Sequence, residues 1–420
     1  MRKISKKGAI FARFLLYYQN IQQASMRIIH TSDWHLGQTF FGYDRAEEHR
    51  IFLDWLGSLI KERNIDLLLV AGDIFDNPNP SAESQKIFYK FIKNITTANP
   101  ALQIIITAGN HDSAARLEAP TPLFEELNVT VRGIVHRTAD GCIDYERHII
   151  PLKEGACCLA VPYLRQCDFP AAESHSEGVK QFYNTLYNMA VGKFKTIIAM
   201  GHLQATGSEI SSDDRSERTT IGGLDVVNPD FSCEGITYTA LGHLHKAQRV
   251  SKRENMRYAG APLPMSFAER NNKQSVTMVI TDGNETNIEK IPFDTPVKLL
   301  TLPTKPLPLD EVLKELGALP VGVPDSSSPF LEVQVLVNGP DPTRRQQIEQ
   351  AIEGRAVRLA RITAHSPQNE DNKENVISYD DFKKIEPIEL AKIAYKRKNN
   401  SEMPEHLVKM MSNVIKEVEI

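Results

Sequence analysis

Short apolar runs rich in β-formers recur along the chain, and each stops at Gly, Asp, Asn or His. "MRIIH" leads to Thr31, Ser32, Asp33, Trp34 and His35; "IDLLLVA" leads to Gly72 and Asp73; "LQIIITA" leads to Gly109, Asn110, His111 and Asp112. Further on, "FKTIIAM" meets Gly201 and His202, and "ITYTAL" meets Gly242, His243 and His245. The runs are continuous rather than alternating, the pattern of strands buried on both faces. Helical periods separate the early ones, "EEHRIFLDWLGSLIKER" over 47–63 and "SAESQKIFYKFIKNI" over 81–95. Strand and helix in alternation predict an α/β layered fold. The later strands follow one another more closely, so part of the sheet system is expected to be mixed or antiparallel.

Ligands of α/β folds sit beyond the carboxyl ends of the strands. The five polar endings are therefore expected to converge on one edge. There Asp33, His35, Asp73, Asn110, His202, His243 and His245 offer carboxylate, carboxamide and imidazole donors, and no thiolate. Such a set suits two borderline-to-hard divalent ions such as Mn²⁺, with Fe²⁺ or Zn²⁺ less excluded than soft Cu(I). A carboxylate can bridge, and two ions about 3.5–4 Å apart can clamp a phosphate and an attacking water together. Taken singly the blocks say little: Asp33-x-His35 is an ordinary strand-end turn, and Gly72-Asp73 is a common loop dipeptide. Gly109-Asn110-His111-Asp112 carries more. In this order, each at a strand end, they specify a metal site.

At 420 residues the chain is long enough for two or three domains. Its 41% hydrophobic and 24% charged shares are those of a soluble globular protein. The net charge of −4 leaves nucleic-acid contact to a local patch rather than a global basic field. Five cysteines (142, 157, 158, 167 and 233) form no C-x-x-C pair and read as reduced thiols of a cytoplasmic protein. In "MRKISKKGAIFARFLLYYQN" Arg13 interrupts the apolar part and no A-x-A-like site follows, against a secretory signal. Residues 1–25 are expected to be a disordered extension.

Residues 297–365 read as strand, helix, strand, helix, strand. In "PFLEVQVLV", Leu331, Val333, Val335 and Val337 alternate with the other face, and Asp341-Pro342 is an N-cap and first-turn signal for "TRRQQIEQAIEG". Arg344, Arg345, Arg355, Arg358 and Arg361 could contact a DNA backbone or lie on solvated faces. Pro387 and Pro404 can each open a helix. On the second, Leu407, Met410, Met411, Val414 and Val418 form an apolar stripe, for the protein's own core or for a partner.

Read in full, "IHTSDWHLGQ", "VAGDIFDNPNPS", "TAGNHDS" and "YTALGHLHKAQ" resemble the calcineurin-like binuclear metallophosphoesterases, and among them the SbcD-type nucleases. "YAGAPLPMSFAE" (258–269) is similar to the segment that closes the catalytic domain of that group. Asn77 stands where Ser/Thr protein phosphatases carry an arginine, and Asp76 where some archaeal relatives carry a histidine. The resemblance implies a two-sheet sandwich flanked by helices over 26–290 and a small α/β capping domain over 291–370. It also implies a linker and C-terminal helical pair over 371–420 that grips the coiled coil of the SbcC ATPase. Asp73 would bridge two ions, with Asp33, His35 and His245 on one, and Asn110, His202 and His243 on the other.

The implied activity is metal-dependent hydrolysis of DNA phosphodiesters in repair, replication and recombination. It comprises ATP-regulated 3′→5′ exonuclease action on duplexes and endonuclease action on single strands and hairpins. The implied assembly is a homodimer within a heterotetramer. No G-x-x-x-x-G-K-[ST] occurs, so ATP hydrolysis would belong to the partner. His111, beside Asn110, is the candidate proton donor to the leaving oxygen, with Asp112 expected to hold its tautomer. A stand-alone phosphoesterase for small esters and a non-catalytic scaffold are the rival readings; the intact donor set argues against the second.

Overall fold

The computed structural model describes residues 25–208, 226–337, 339, 341–366, 388–389, 391–392, 395 and 403–418, with side chains to residue 411. The extension over 1–24 and most of the first C-terminal helix expected after Pro387 lie outside the described residues, as do the side chains of Val414 and Val418.

The chain opens with β1 (Met26–Thr31) and a small hairpin, β2 (Thr39–Phe40) and β3 (Tyr43–Asp44). Then α1 (Ala46–Glu62), β4 (Leu67–Ala71), α2 (Ala82–Ala98), β5 (Gln103–Thr107) and β6 (Val129–Arg132) alternate. A second series follows: β7 (Ile149–Pro151), β8 (Ala156–Ala160), α3 (His175–Ala190), β9 (Thr196–His202), β10 (Gln204–Ala205), β11 (Val226–Val227) and β12 (Tyr238–Gly242). It closes with β13 (Gln248–Arg249), β14 (Met256–Tyr258), β15 (Ser275–Thr281) and β16 (Thr286–Pro292).

Two six-stranded sheets result, ordered β16-β15-β1-β4-β5-β6 and β13-β14-β12-β9-β8-β7. In the first, β1, β4, β5 and β6 are parallel while β15 and β16 add antiparallel; in the second, β8, β9, β12 and β14 are parallel. The mixed pairing is the one expected from the closer spacing of the later strands.

Side-chain parity explains why these strands read as continuous apolar runs. Successive residues of a strand point to opposite faces. On β4, Leu68 and Val70 pack with Ile104, Ile106 and the α1 and α2 side chains Leu56, Phe88 and Phe91. Leu67, Leu69 and Ala71 face the other way, against Cys158, Ala160, Ile198, Met200 and Ala240 of the second sheet. The outer face of that sheet, with Leu159, Ile197 and Ala199, is covered by Val179, Phe182, Tyr183 and Leu186 of α3. Both sheets are thus sealed on two sides, and full burial of each such side chain stabilises by about 1.5–3 kcal/mol. The helices start where capping chemistry allows: Ser81 accepts the amide of Ser84, and Ser174 that of Glu177.

A three-stranded sheet follows, ordered β17 (Leu299–Pro308), β18 (Phe330–Leu336) and β19 (Arg358–His365), with α4 (Leu309–Gly317) and α5 (Arg344–Ala351). The alternation expected of β18 is incomplete, because Glu332 is also buried, joined to Thr301, Thr363 and Arg361. α5 begins later than the Asp341-Pro342 signal suggested: Thr343 precedes its first residue, and Asp341 instead accepts from the amide and hydroxyl of Thr343. Arg358 is buried rather than solvated, its Cζ 3.9 Å from the Phe330 ring centroid and its Nε donating to the Ser328 carbonyl.

The fold divides into two compact units, one comprising residues to Val335 with Asp341–Ala364, the other Leu336–Pro340 with the residues from His365. Residues 291–335 and 341–364 therefore cluster with the sandwich. In the second unit α6 (Glu405–Val418) starts directly after Pro404, whose carbonyl accepts the amides of Leu407 and Val408. Leu407 and Met411 are half-buried and Met410 is exposed. Among the described residues no helix is long and apolar enough to cross a membrane.

Candidate metal centre

The polar ends of β1, β4, β5, β9 and β12 meet at one edge of the sandwich. Pairing continues past the first two strands: Asp33 and His35 donate their amides to the carbonyls of Gly72 and Asp73 at 3.0 Å, and Leu36 to Ile74 at 2.9 Å. The backbone then turns sharply. Asp33 (φ 53°), His35 (φ 46°), Asp73 (φ 51°) and His243 (φ 102°) all lie in the left-handed region that most residues avoid. Such strain persists only where the surroundings enforce it, and it concentrates at functional sites. At Gly109 a Cβ would collide with the Asp73 carboxylate and amide, so only glycine admits that approach.

Within the edge, Asp73 Oδ2 lies 3.3 Å from His202 Nε2 and 3.6 Å from His35 Nε2. Asn110 Oδ1 stands 3.0 Å from both His202 Nε2 and His243 Nδ1. Donor atoms of Asp33, His35 and His245 lie within 4.8 Å of one another, as do those of Asp33, Asp73 and His202. The His35 and His245 ring centroids are 5.2 Å apart, and those of His202 and His243 5.3 Å apart. All seven expected donors are therefore brought together. Asp33, His35, Asp73, His202 and His245 are buried, whereas Asn110, His111 and His243 are partly open to solvent.

The chemistry of this set fits divalent cations. Among the described residues His35 Nε2 is buried without a hydrogen-bond partner although it faces a carboxylate. His202 Nδ1 sits 2.9 Å from the Ala71 carbonyl, and an N–H donated there leaves the Nε2 lone pair facing Asp73 and Asn110. The electrostatics of the chain alone point the same way. Burial pushes the Asp73 carboxyl up, but His202, His35 and His111 hold it well below the usual range. Burial pushes His202 down, yet Asp73 and Asp33 raise it to about 9. His243 falls to about 3 through burial and the neighbouring His202. Asp73 and Asp33 thus favour positive charge at the position of His202, where a cation would compete with its proton.

Asp112 does not orient His111. Its carboxylate accepts the backbone amides of Gly109, Ile74 and Phe75 at 2.9–3.1 Å, because the two loops need those N–H groups satisfied. Burial and the charge of Asp73 push Asp112 up to about 6 despite these bonds. The His111 ring instead places Nδ1 2.9 Å from the Asp76 carbonyl, and its amide donates to Asp73 Oδ1. Asp76 itself puts a carboxylate oxygen 3.4 Å from His35 Nδ1. Three supporting contacts escaped the sequence reading: Asp76 with His35; the Ser32 hydroxyl donating to Asp33; and Glu269 beside His245. Ser32 and Asp76 stand next to or within quoted blocks, but nothing in residue order shows where their oxygens point.

Residues 26–247 match the calcineurin-like phosphoesterase family, and residues 295–399 match the type 5 capsule protein repressor C-terminal domain. The SbcD component of the SbcCD nuclease from Rhodobacter capsulatus is 38% identical over 361 residues, 82% of this chain and 88% of that protein. Its Escherichia coli K12 counterpart is 31% identical, over 66% of this chain and 70% of its own length. The Bacillus subtilis counterpart is 32% identical, over 60% and 66%. The five strand ends with their donor set lie inside the phosphoesterase match, and the later small sheet inside the second. The chain accordingly belongs to the calcineurin-like phosphoesterases, in the family of the SbcD nucleases.

Proposed function

We propose that this edge cleaves DNA phosphodiesters with two divalent ions, Mn²⁺ foremost, held by Asp33, His35 and His245 on one side and Asn110, His202 and His243 on the other. Asp73 bridges them. The observation that carries this reading is the place of one oxygen: Asp73 Oδ2 lies between a ring nitrogen of each trio, 3.6 Å from His35 and 3.3 Å from His202. When bound, the ions would neutralise charge on the phosphate oxygens and lower the pKa of an attacking water. The chain's own part is to hold the substrate edge in register and to deliver a proton. An Nδ1–H of His111 donated to the Asp76 carbonyl would hold the ring so that Nε2, when it carries a proton of its own, can give that proton to the leaving oxygen. Asp112 acts one layer behind, tying the Asp73 loop to the Asn110 loop.

The relatives named above are subunits of SbcCD, which supports a complex with SbcC. In the same reading SbcC is the ATPase, residues 371–420 are the segment that grips it, and the assembly is a homodimer within a heterotetramer. ATP-regulated 3′→5′ exonuclease and hairpin endonuclease action, in the cytoplasm, belong to the same reading. The test is cleavage of end-labelled duplex and hairpin DNA with Mn²⁺, for the wild type and Asp73→Ala. The variant should lose both ions and both activities. Normal cleavage by a variant that still holds two ions would show the site assignment to be wrong.

A further inference from the structure

Glu269 is a buried carboxylate with one oxygen spoken for and one left over. Oε2 accepts the Met265 amide at 3.2 Å, while Oε1 is shut off from solvent and has no hydrogen-bond partner among the described residues. Across from it stands His245, whose Nδ1 lies 3.8 Å from Oε1. A carboxylate left without a donor in a protein interior is costly, and it persists where a function needs it. The segment carrying it is pinned at several points. Arg45 donates to the Pro264 carbonyl at 2.7 Å, Gln38 Nε2 approaches Met265 Sδ at 2.8 Å, and Asn272 donates its amide to the Glu269 carbonyl at 2.8 Å. Two residues earlier in the same short turn, Phe267 is buried against Phe40, its centroid 5.4 Å away, with the Arg361 guanidinium 5.4 Å above its ring.

We propose that Glu269 is a positioning residue for His245: it accepts the Nδ1–H of that ring, fixes the tautomer whose Nε2 carries the lone pair, and thereby sets the affinity of one ion site only. This rests on the reading of His245 as a ligand. Metal-bound imidazoles commonly hand their second N–H to a carboxylate, which fixes ring orientation and raises ligand basicity. The rigid surroundings of Glu269 suit that task, because a supporting group must itself be immobile. His202 has a different partner in the Ala71 carbonyl. The two trios are therefore supported by different chemistry, and their affinities can be separated by mutation.

Mn²⁺ titration of the full chain by calorimetry, with nitrogen NMR of the histidine rings in the Zn²⁺-loaded protein, tests the assignment. Glu269→Gln keeps an oxygen for Met265 but can turn an amide N–H₂ toward His245, favouring the wrong tautomer. One of the two Mn²⁺ sites should weaken by roughly 10–100-fold, the other should hold, and the His245 Nδ1–H signal should be lost. Glu269→Leu removes the acceptor altogether and should hit the same single site. Two unchanged sites, or equal weakening of both, would overturn the proposal. If the wild type itself fails to bind two ions, the underlying metal-site reading falls instead, so the two failures are distinguishable.

Discussion

The amide of His111 donates to Asp73 Oδ1 at 2.9 Å, so the proposed proton donor is anchored by its backbone to the proposed bridging carboxylate. That anchor does not involve the imidazole. His111→Ala should therefore keep the fold and both ions while slowing the chemical step by roughly 10²–10⁴-fold. Metal content by mass spectrometry and single-turnover cleavage should be measured on one sample. Loss of an ion would make His111 a ligand, and wild-type speed would make it a bystander.

Acid should weaken the fold through two histidines outside the donor set. His30 and His49 are fully buried, and burial, joined at His49 by Arg45, lowers each to about 3 from an ordinary 6.5. Between those values the unfolded chain takes up a proton that the folded chain refuses. Stability attributable to each ring is therefore lost as pH falls through this window, by about 1.4 kcal/mol per pH unit. Urea denaturation at pH 6 and pH 4.5 checks it: His49→Gln should show a shallower decline by about that slope. An identical decline would mean that His49 protonates without unfolding.

Arg358 separates structural from DNA-contacting arginines. Its burial, its stacking on Phe330 and its bond to the Ser328 carbonyl predict that Arg358→Ala destabilises the fold by about 1–3 kcal/mol. Arg345, exposed and, among the described residues, paired with Glu349 four residues on, should change stability by less than about 0.5 kcal/mol when truncated. Thermal melts and DNA-binding isotherms of the two variants distinguish the roles. Unchanged melting of Arg358→Ala with weakened DNA binding would reverse the assignment.

Removing residues 386–420 should leave a chain that cuts simple DNA with Mn²⁺ but fails to capture SbcC. The motive is α6, whose Leu407 and Met411 are only half-buried and whose Met410 is exposed. Pull-down of SbcC at the wild-type level by the truncated chain contradicts this, and insolubility of the truncated chain would place the helix in the protein's own core.

The donors were legible in the sequence because strand ends are. Runs such as "LLLVA" and "QIIIT" mark strands buried on both faces, and a parallel sheet sends their last residues to one side. What escaped was the aim of each polar group. Asp112 follows His111 in the chain, yet its carboxylate turns to the amides of Ile74 and Phe75, residues 38 and 37 positions away. Glu269 stands 3.8 Å from His245 although β13 and β14 lie between them in the chain, and no periodicity describes that approach. Sequence order predicts neighbours along a strand well and neighbours across a site poorly, since the latter depend on left-handed turns such as those at Asp33 and Asp73. The same limit explains Arg358, which reads as surface charge until Phe330 and Tyr43 close around it.

The strand order carries a consequence for synthesis. β1, made first, lies between β4 and β15, so its outer side stays bare until Ser275–Thr281 has been translated. Asp33, His35, Asp73 and Asn110 come from the first sheet; His202, His243 and His245 arrive with the second, His202 being 92 residues after Asn110. A ribosome-bound fragment holding only the early half therefore has fewer donors than the proposed pair of ions requires. On the proposed assignment, the full donor set for the two ions is assembled only once the late strands dock.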